Sequence, residues 1–146
     1  MDKEATPSPT NTPIPFEELE IGMEASHCHT YSTGDVEAFA DISGDKNPVH
    51  LDDSFAANSR FKRRIAHGLH SASFFSAIFG TILPGTGCVY VNQSLSFKRP
   101  VYIGDTVTAT VIIKSIDSEK RRVFFNTTCK VKGRVVIDGE AEIYVP

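Results

Sequence analysis

Residues 68–83 read GLHSASFFSAIFGTIL, and the reading of this stretch decides the fold. It is apolar on nearly every side and interrupted by little more than small polar residues. A surface helix carries one apolar stripe, whereas a helix that is apolar all round is buried and wrapped by something else. The stretch is shorter than the roughly 20 apolar residues that span a bilayer. Pro84 and Gly85 end it.

The material for the wrapping lies mostly downstream, where the apolar period changes from helical to two. CVYVNQSLSFKRP (88–100), DTVTATVIIKSI (105–116), RRVFFNTTCKV (121–131) and VVIDGEAEIYV (135–145) are rich in Val, Ile, Thr, Phe and Tyr. Short turns at Ile103-Gly104, Asp117–Lys120 and Lys132–Arg134 separate the later ones, as in an antiparallel meander. Upstream, MEASHCHTY (23–31) has the character of one more strand, and FEEL (16–19) that of a short helical turn. Ser32 or Thr33 can cap a helix through DVEAFADIS, where Val36, Phe39, Ala40 and Ile42 or Ser43 recur at helical spacing. DDSFAANS (52–59) reads as a second short helix, and FKRRIAHG (61–68) as a loop. About five antiparallel strands curved around one long buried helix make an α+β domain of the hot-dog architecture, expected over residues 16–146.

The rest of the composition narrows the function. The chain has 146 residues, 40% apolar and 23% charged, with a net charge of −3, so it offers no basic field for nucleic acid or anionic lipid. No membrane span is expected. Residues 1–15 are Pro-rich, without the apolar core of a secretory signal, and read as a flexible tail. Cys28, Cys88 and Cys129 are far apart and form no C-x-x-C, which suits free thiols in a reducing cytoplasm.

Between two apolar stretches stands SGDKNPVHL (43–51). A turn needs one or two of Gly, Asp, Asn and Pro; this one has all four and adds a histidine. Pro48 fixes its own φ and pushes Asn47 into an extended conformation, so the segment can aim Asp45 and His50 at one point. A carboxylate and an imidazole sharing a water form a general acid–base pair. The plain alternative is that Asp45 and Asn47 only bond their own backbone, as such residues do in turns. Gly68, at the start of the buried helix, can admit a substrate oxygen to the unpaired N–H groups there. Equally, Gly68 relieves crowding and His67 merely caps or packs.

ADISGDKNPVHLD, FKRRIAHGL, LPGTG and QSLSFKRPVYIGDTV, in this order, resemble the MaoC-type dehydratases, and among them the bacterial single-domain (R)-specific enoyl-CoA hydratases. The resemblance runs from about Phe16 to the C-terminus. It implies a hot-dog fold, a homodimer with its sheets joined edge to edge, and reversible addition of water to trans-2-enoyl-CoA, giving (R)-3-hydroxyacyl-CoA. It places the catalytic pair on Asp45 and His50, a supporting asparagine on Asn47, the thioester-oxygen donor on the N–H of Gly68, and a helix serine on Ser76. The substrate is then a coenzyme A thioester, and no metal or other cofactor is implied. Ala72, Phe75 and Phe79 share a helix face and are candidates to line the acyl chain, or else are plain core. Lys62, Arg63, Arg64, Lys98 and Arg99 are candidate contacts for the CoA phosphates, or else a solvated surface.

Other readings are weaker. His27 and His29 flank Cys28, but in a strand the two histidines share one face and Cys28 the other, and with His67 and His70 no metal ligand set is completed. No cysteine has the cationic setting of a nucleophile. A (3R)-hydroxyacyl-acyl-carrier-protein dehydratase would use the same site on another carrier. A non-catalytic acyl-thioester-binding module would keep the groove and need neither Asp45 nor His50. The chemistry suits polyhydroxyalkanoate supply and β-oxidation alike.

Overall fold

Six antiparallel strands form a single sheet in the computed structural model, which describes residues 13–146. They are β1 (Glu24–Thr30), β2 (Val89–Gln93), β3 (Ser96–Phe97), β4 (Thr106–Asp117), β5 (Arg122–Val131) and β6 (Arg134–Tyr144). Their order is β1-β4-β5-β6-β2, with β3 also paired to β6. Strict alternation decides which side is buried. Val107, Ala109, Val111 and Ile113 of β4 and Val123, Phe125, Thr127 and Cys129 of β5 point inward, and their neighbours point to solvent.

Against this inner face lies the long helix, here α4 (Gly68–Thr81), which buries Ser71, Phe74, Phe75, Ile78 and Phe79. Phe79 meets Phe125 edge-on at 4.7 Å between ring centroids, a geometry that suits the quadrupoles of both rings. This is the hot-dog arrangement the sequence predicts. The helix is not enclosed all round, however: Leu69, Ser73, Ser76, Ala77 and Gly80 stay exposed in the single chain.

The strand expected over 88–100 is broken in two. An added Cβ on Gly139 would lie 1.8 Å from the Ser94 carbonyl oxygen, so the chain between β2 and β3 rides directly over a glycine of β6. Ser94 is tied there by its N–H to the Glu140 carbonyl and its Oγ to the Glu140 N–H, both at 2.9 Å. This close approach depends on a residue some 45 positions away and leaves no mark in the local period.

The remaining helices are short: α1 (Thr33–Ser43), α2 (Pro48–Leu51) and α3 (Asp53–Ala57), preceded by a 3₁₀ turn at Phe16–Glu18. Ser32 caps α1 through a reciprocal box with Asp35. Val36 and Ala40 are buried, whereas Ile42 is 86% exposed and off the inner face. Of the expected tail, residues 1–12 lie outside the described residues. Residues 13–15 are seated on the domain, with the Ile14 N–H donating to the Pro84 carbonyl at 2.8 Å.

Candidate active site

Helix α1 ends on Gly44, whose φ of +80° is the left-handed conformation that glycine adopts without strain. The chain then turns sharply. The Asp45 N–H donates to Ser43 Oγ at 3.1 Å, and Asp45 Oδ1 accepts from the Asn47 N–H at 3.2 Å. Asn47 is extended, as Pro48 requires, and its Oδ1 accepts from the Val49 N–H at 3.3 Å. Asn47 therefore caps the one-turn helix α2, with Pro48 at its first position. The sequence reading of a plain kinked turn changes here: His50 sits on a helical turn, which fixes its direction relative to Asp45.

His50 is 7% exposed, and its Nδ1 lies 2.8 Å from the Ile65 carbonyl oxygen. A carbonyl only accepts, so Nδ1 carries the proton and Nε2 of the neutral ring keeps its lone pair. Burial is the main influence that holds the His50 pKa below the ordinary imidazole value, and a charge on His67 would act in the same direction; the Ile65 bond and Asp45 oppose them. At neutral pH the ring is uncharged. The backbone of the same residue is held from the opposite segment, by Arg64 Nε donating to the His50 carbonyl at 2.7 Å.

His67 completes the group. It is 2% exposed, stacks on His50 at 3.7 Å between centroids, and its Nε2 lies 2.9 Å from the Asp45 carbonyl oxygen. Asp45, His50 and His67 each offer one atom within 4.8 Å of the others. Two hydrogen bonds of 2.8 Å on one tetrahedral water end about 4.6 Å apart, so the cluster has the span of a single water site. The same three residues are a conceivable metal set, one the sequence reading did not assemble. Yet stacked rings direct their in-plane lone pairs side by side, not at a common tetrahedral centre.

Directly after His67, Gly68 opens α4, and among the described residues its N–H has no partner within the chain. A Cβ here would come within 2.6 Å of the Phe97 ring, so this side chain of β3 packs directly over the glycine. A cavity of about 350 Å³ opens beside these groups, lined by His50, Phe61, Gly68 and Phe97, with Arg60, Lys98 and Arg99 among its other walls.

Comparison with known proteins fits this geometry. The profile of the MaoC like domain matches residues 16–138. The chain belongs to the MaoC-like family. An (R)-specific enoyl-CoA hydratase of Rhodospirillum rubrum is 53% identical over 131 residues, which are 90% of this chain and 91% of that one. Two solved structures superpose with a TM-score of 0.87. One is an (R)-hydratase from A. caviae involved in PHA biosynthesis, 41% identical, covering 89% of this chain and 99% of its own. The other is R-hydratase PhaJ1 from Pseudomonas aeruginosa, 43% identical, covering 92% and 86%.

Not every residue singled out in this MaoC-like chain comes to the cluster. Ser76 lies two turns along α4 from Gly68, about 12 Å by helix rise, and is exposed. Phe75 and Phe79 are fully buried in the core and do not line the cavity, and Ala72 is half-buried. Among the cations, Lys98 and Arg99 line the cavity, Lys62 is exposed, and Arg63 lies over the Tyr102 ring at 4.0 Å. Arg64 departs from the expectation of an exposed cation: its side chain is 11% exposed, with Nε on the His50 carbonyl and Nη1 3.9 Å from Asp53 Oδ1. Arg60, Phe61 and Phe97 were not foreseen. Phe97 and Lys98 do stand in the FKRP stretch that carries the resemblance, which was the available signal. On β1, His27 and His29 face the helix and Cys28 faces out, as the strand period predicts, and His29 is paired with Asp35 at 2.8 Å. Among the described residues no helix is long and apolar enough to cross a membrane.

Proposed function

We propose that the protein is an (R)-specific enoyl-CoA hydratase, a hydro-lyase that adds water reversibly to trans-2-enoyl-CoA to give (R)-3-hydroxyacyl-CoA. The observation that carries the reading is the convergence of the Asp45 carboxylate and the neutral His50 ring beside the unpartnered N–H of Gly68.

Conjugation with the thioester makes C3 of the substrate electrophilic, and attack there develops negative charge on the carbonyl oxygen. The Gly68 N–H, at the positive end of α4, stabilises that charge. His50 Nε2 accepts a proton of the water as its oxygen bonds to C3. Asp45 orients the water, and the pair returns a proton to C2, so that water is added in full. Asn47 braces both residues: its N–H donates to Asp45 Oδ1, and its side chain caps the turn that carries His50. This chemistry calls for no metal or redox cofactor. Lys98 and Arg99 on the cavity wall, with Lys62 and Arg63 nearby in the chain, suit the phosphates of CoA. Ala72 lies one turn into α4 from the site, where an acyl chain would pass.

The active form is a homodimer in this reading. Strand β2 stands at the sheet edge with Val89 49%, Tyr90 37% and Val91 42% exposed, and an apolar edge of this kind invites pairing with a second copy. Ser76, exposed in the single chain, would enter the site in that assembly. The three free thiols suit the cytoplasm.

The test is hydration of crotonyl-CoA, followed by loss of the conjugated thioester's absorbance, with the product offered to (R)- and (S)-specific 3-hydroxyacyl-CoA dehydrogenases. Product consumed by the (R) enzyme alone supports the proposal. Turnover confined to acyl-carrier-protein thioesters would reassign the carrier, and no turnover on either would leave a binding module.

A further inference from the structure

We infer that His67 is a positioning residue, one that ties Asp45, His50 and Gly68 into a single frame; the inference rests on the function proposed above. Asp45 is exposed, and apart from the bond to His67 its hydrogen bonds are local, to Ser43 and Asn47. Those bonds shape the turn, yet they do not fix it relative to helix α4. The bond from His67 Nε2 to the Asp45 carbonyl, 22 residues away in sequence, does so.

The acceptor is a carbonyl, so Nε2–H is the donor, and Nδ1 is left buried with no partner among the described residues. A buried imidazole with one nitrogen unpaired is a costly way to fill space. Its placement answers this: the ring is stacked on His50 at 3.7 Å and touches Phe39 at 4.8 Å, so it sets the plane in which His50 lies. The peptide that joins His67 to its successor carries the Gly68 N–H. One residue thus meets the carboxylate turn by a hydrogen bond, the base by a ring face, and the oxyanion donor by a covalent bond. Misplacement of reacting groups by about 1 Å can cost a hundredfold in rate.

Two variants separate the parts of this role. His67→Phe keeps a ring against His50 and removes the donor; His67→Gln keeps an N–H donor and removes the ring. In hydration of crotonyl-CoA, His67→Phe is expected to lower kcat roughly ten- to a hundredfold with KM little changed, and His67→Gln to retain several times more of kcat. Both variants also remove a charge that His67 can place against His50. The other charged groups around His50 are Asp45, Arg64 and the Arg60, Lys98 and Arg99 that line the same cavity, and all of them remain. The His50 pKa should therefore rise in each variant, read by NMR titration of the imidazole and, in the active enzyme, as an acid limb of kcat/KM moved to higher pH.

A folded His67→Phe with wild-type kcat overturns the inference, as does a His67→Gln no better than His67→Phe. If His67→Phe does not fold, the His50 Nδ1–H in His67→Gln decides, read by NMR: faster exchange of that proton, as the ring loses the face that fixes its plane, supports the inference, and an exchange rate equal to wild type overturns it. This readout needs no turnover, so it stands even where the wild type is inert on enoyl-CoA, a result that would refute the proposed function instead.

Discussion

The sheet with α4 and the segment from Gly44 to Gly68 are held together by different physics. In the first, Val107, Val111, Val123, Phe125, Ile78 and Phe79 are at most 1% exposed, and cohesion comes from apolar burial. The second contributes few side chains to the core and is fastened by polar bonds. His50 donates to the Ile65 carbonyl, Arg64 to the His50 carbonyl and His67 to the Asp45 carbonyl. Apolar burial is non-directional and summed over many weak contacts. Hydrogen bonds between main-chain carbonyls and planar side chains are directional. The packed region therefore sets whether the chain folds, and the stitched region sets where two side chains point.

Substitution should pull these roles apart. Phe125→Ala in the packed region should cost about 3–5 kcal/mol, measured by denaturant unfolding, while molecules still folded keep their turnover. If the variant instead loses turnover with no loss of stability, the division of labour fails. His50→Gln in the stitched region should do the reverse: at least a hundredfold loss in kcat/KM, the low end for a general acid–base group, with a smaller change in the unfolding midpoint.

A smaller effect sharpens the comparison through pH. Burial holds the pKa of both His50 and His70 below the ordinary imidazole value, and among the described residues His70 Nδ1 is buried without a partner. The unfolded chain then binds more protons than the folded one as pH drops below about 6.5. Stability should be level above that pH and decline beneath it, and His50→Gln should remove part of the decline. Thermal midpoints that stay level from pH 7.5 to 5.5 would contradict this.

The two regions also differ in how much of them can be read from sequence. Strand alternation such as Val107, Ala109, Val111 and Ile113 is a local pattern with one physical meaning, and the buried helix declares itself through residues 68–83. The break at Ser94 was hidden because it depends on Gly139 across the sheet. Ile42 fits the helical period of α1 and still faces solvent, since period alone does not say where the apolar stripe ends. Asp45, Asn47, His50 and Gly68 were legible because short turns and helix starts force specific residue types. Arg64 was not: a long side chain can reach solvent or fold inward, and only the His50 carbonyl decides. His67 was visible as a residue beside Gly68, but its role depends on a contact 22 positions back in the chain.

The central claim is that the 43–51 turn exists to hold an acid–base pair on one water. The most direct measurement is Asp45→Asn, with binding of a saturated acyl-CoA and hydration of crotonyl-CoA measured on the same preparation. The account predicts binding within a few-fold of wild type and a loss of turnover of at least a hundredfold. Turnover close to wild type would show that Asp45 only shapes its turn, and the account would be wrong.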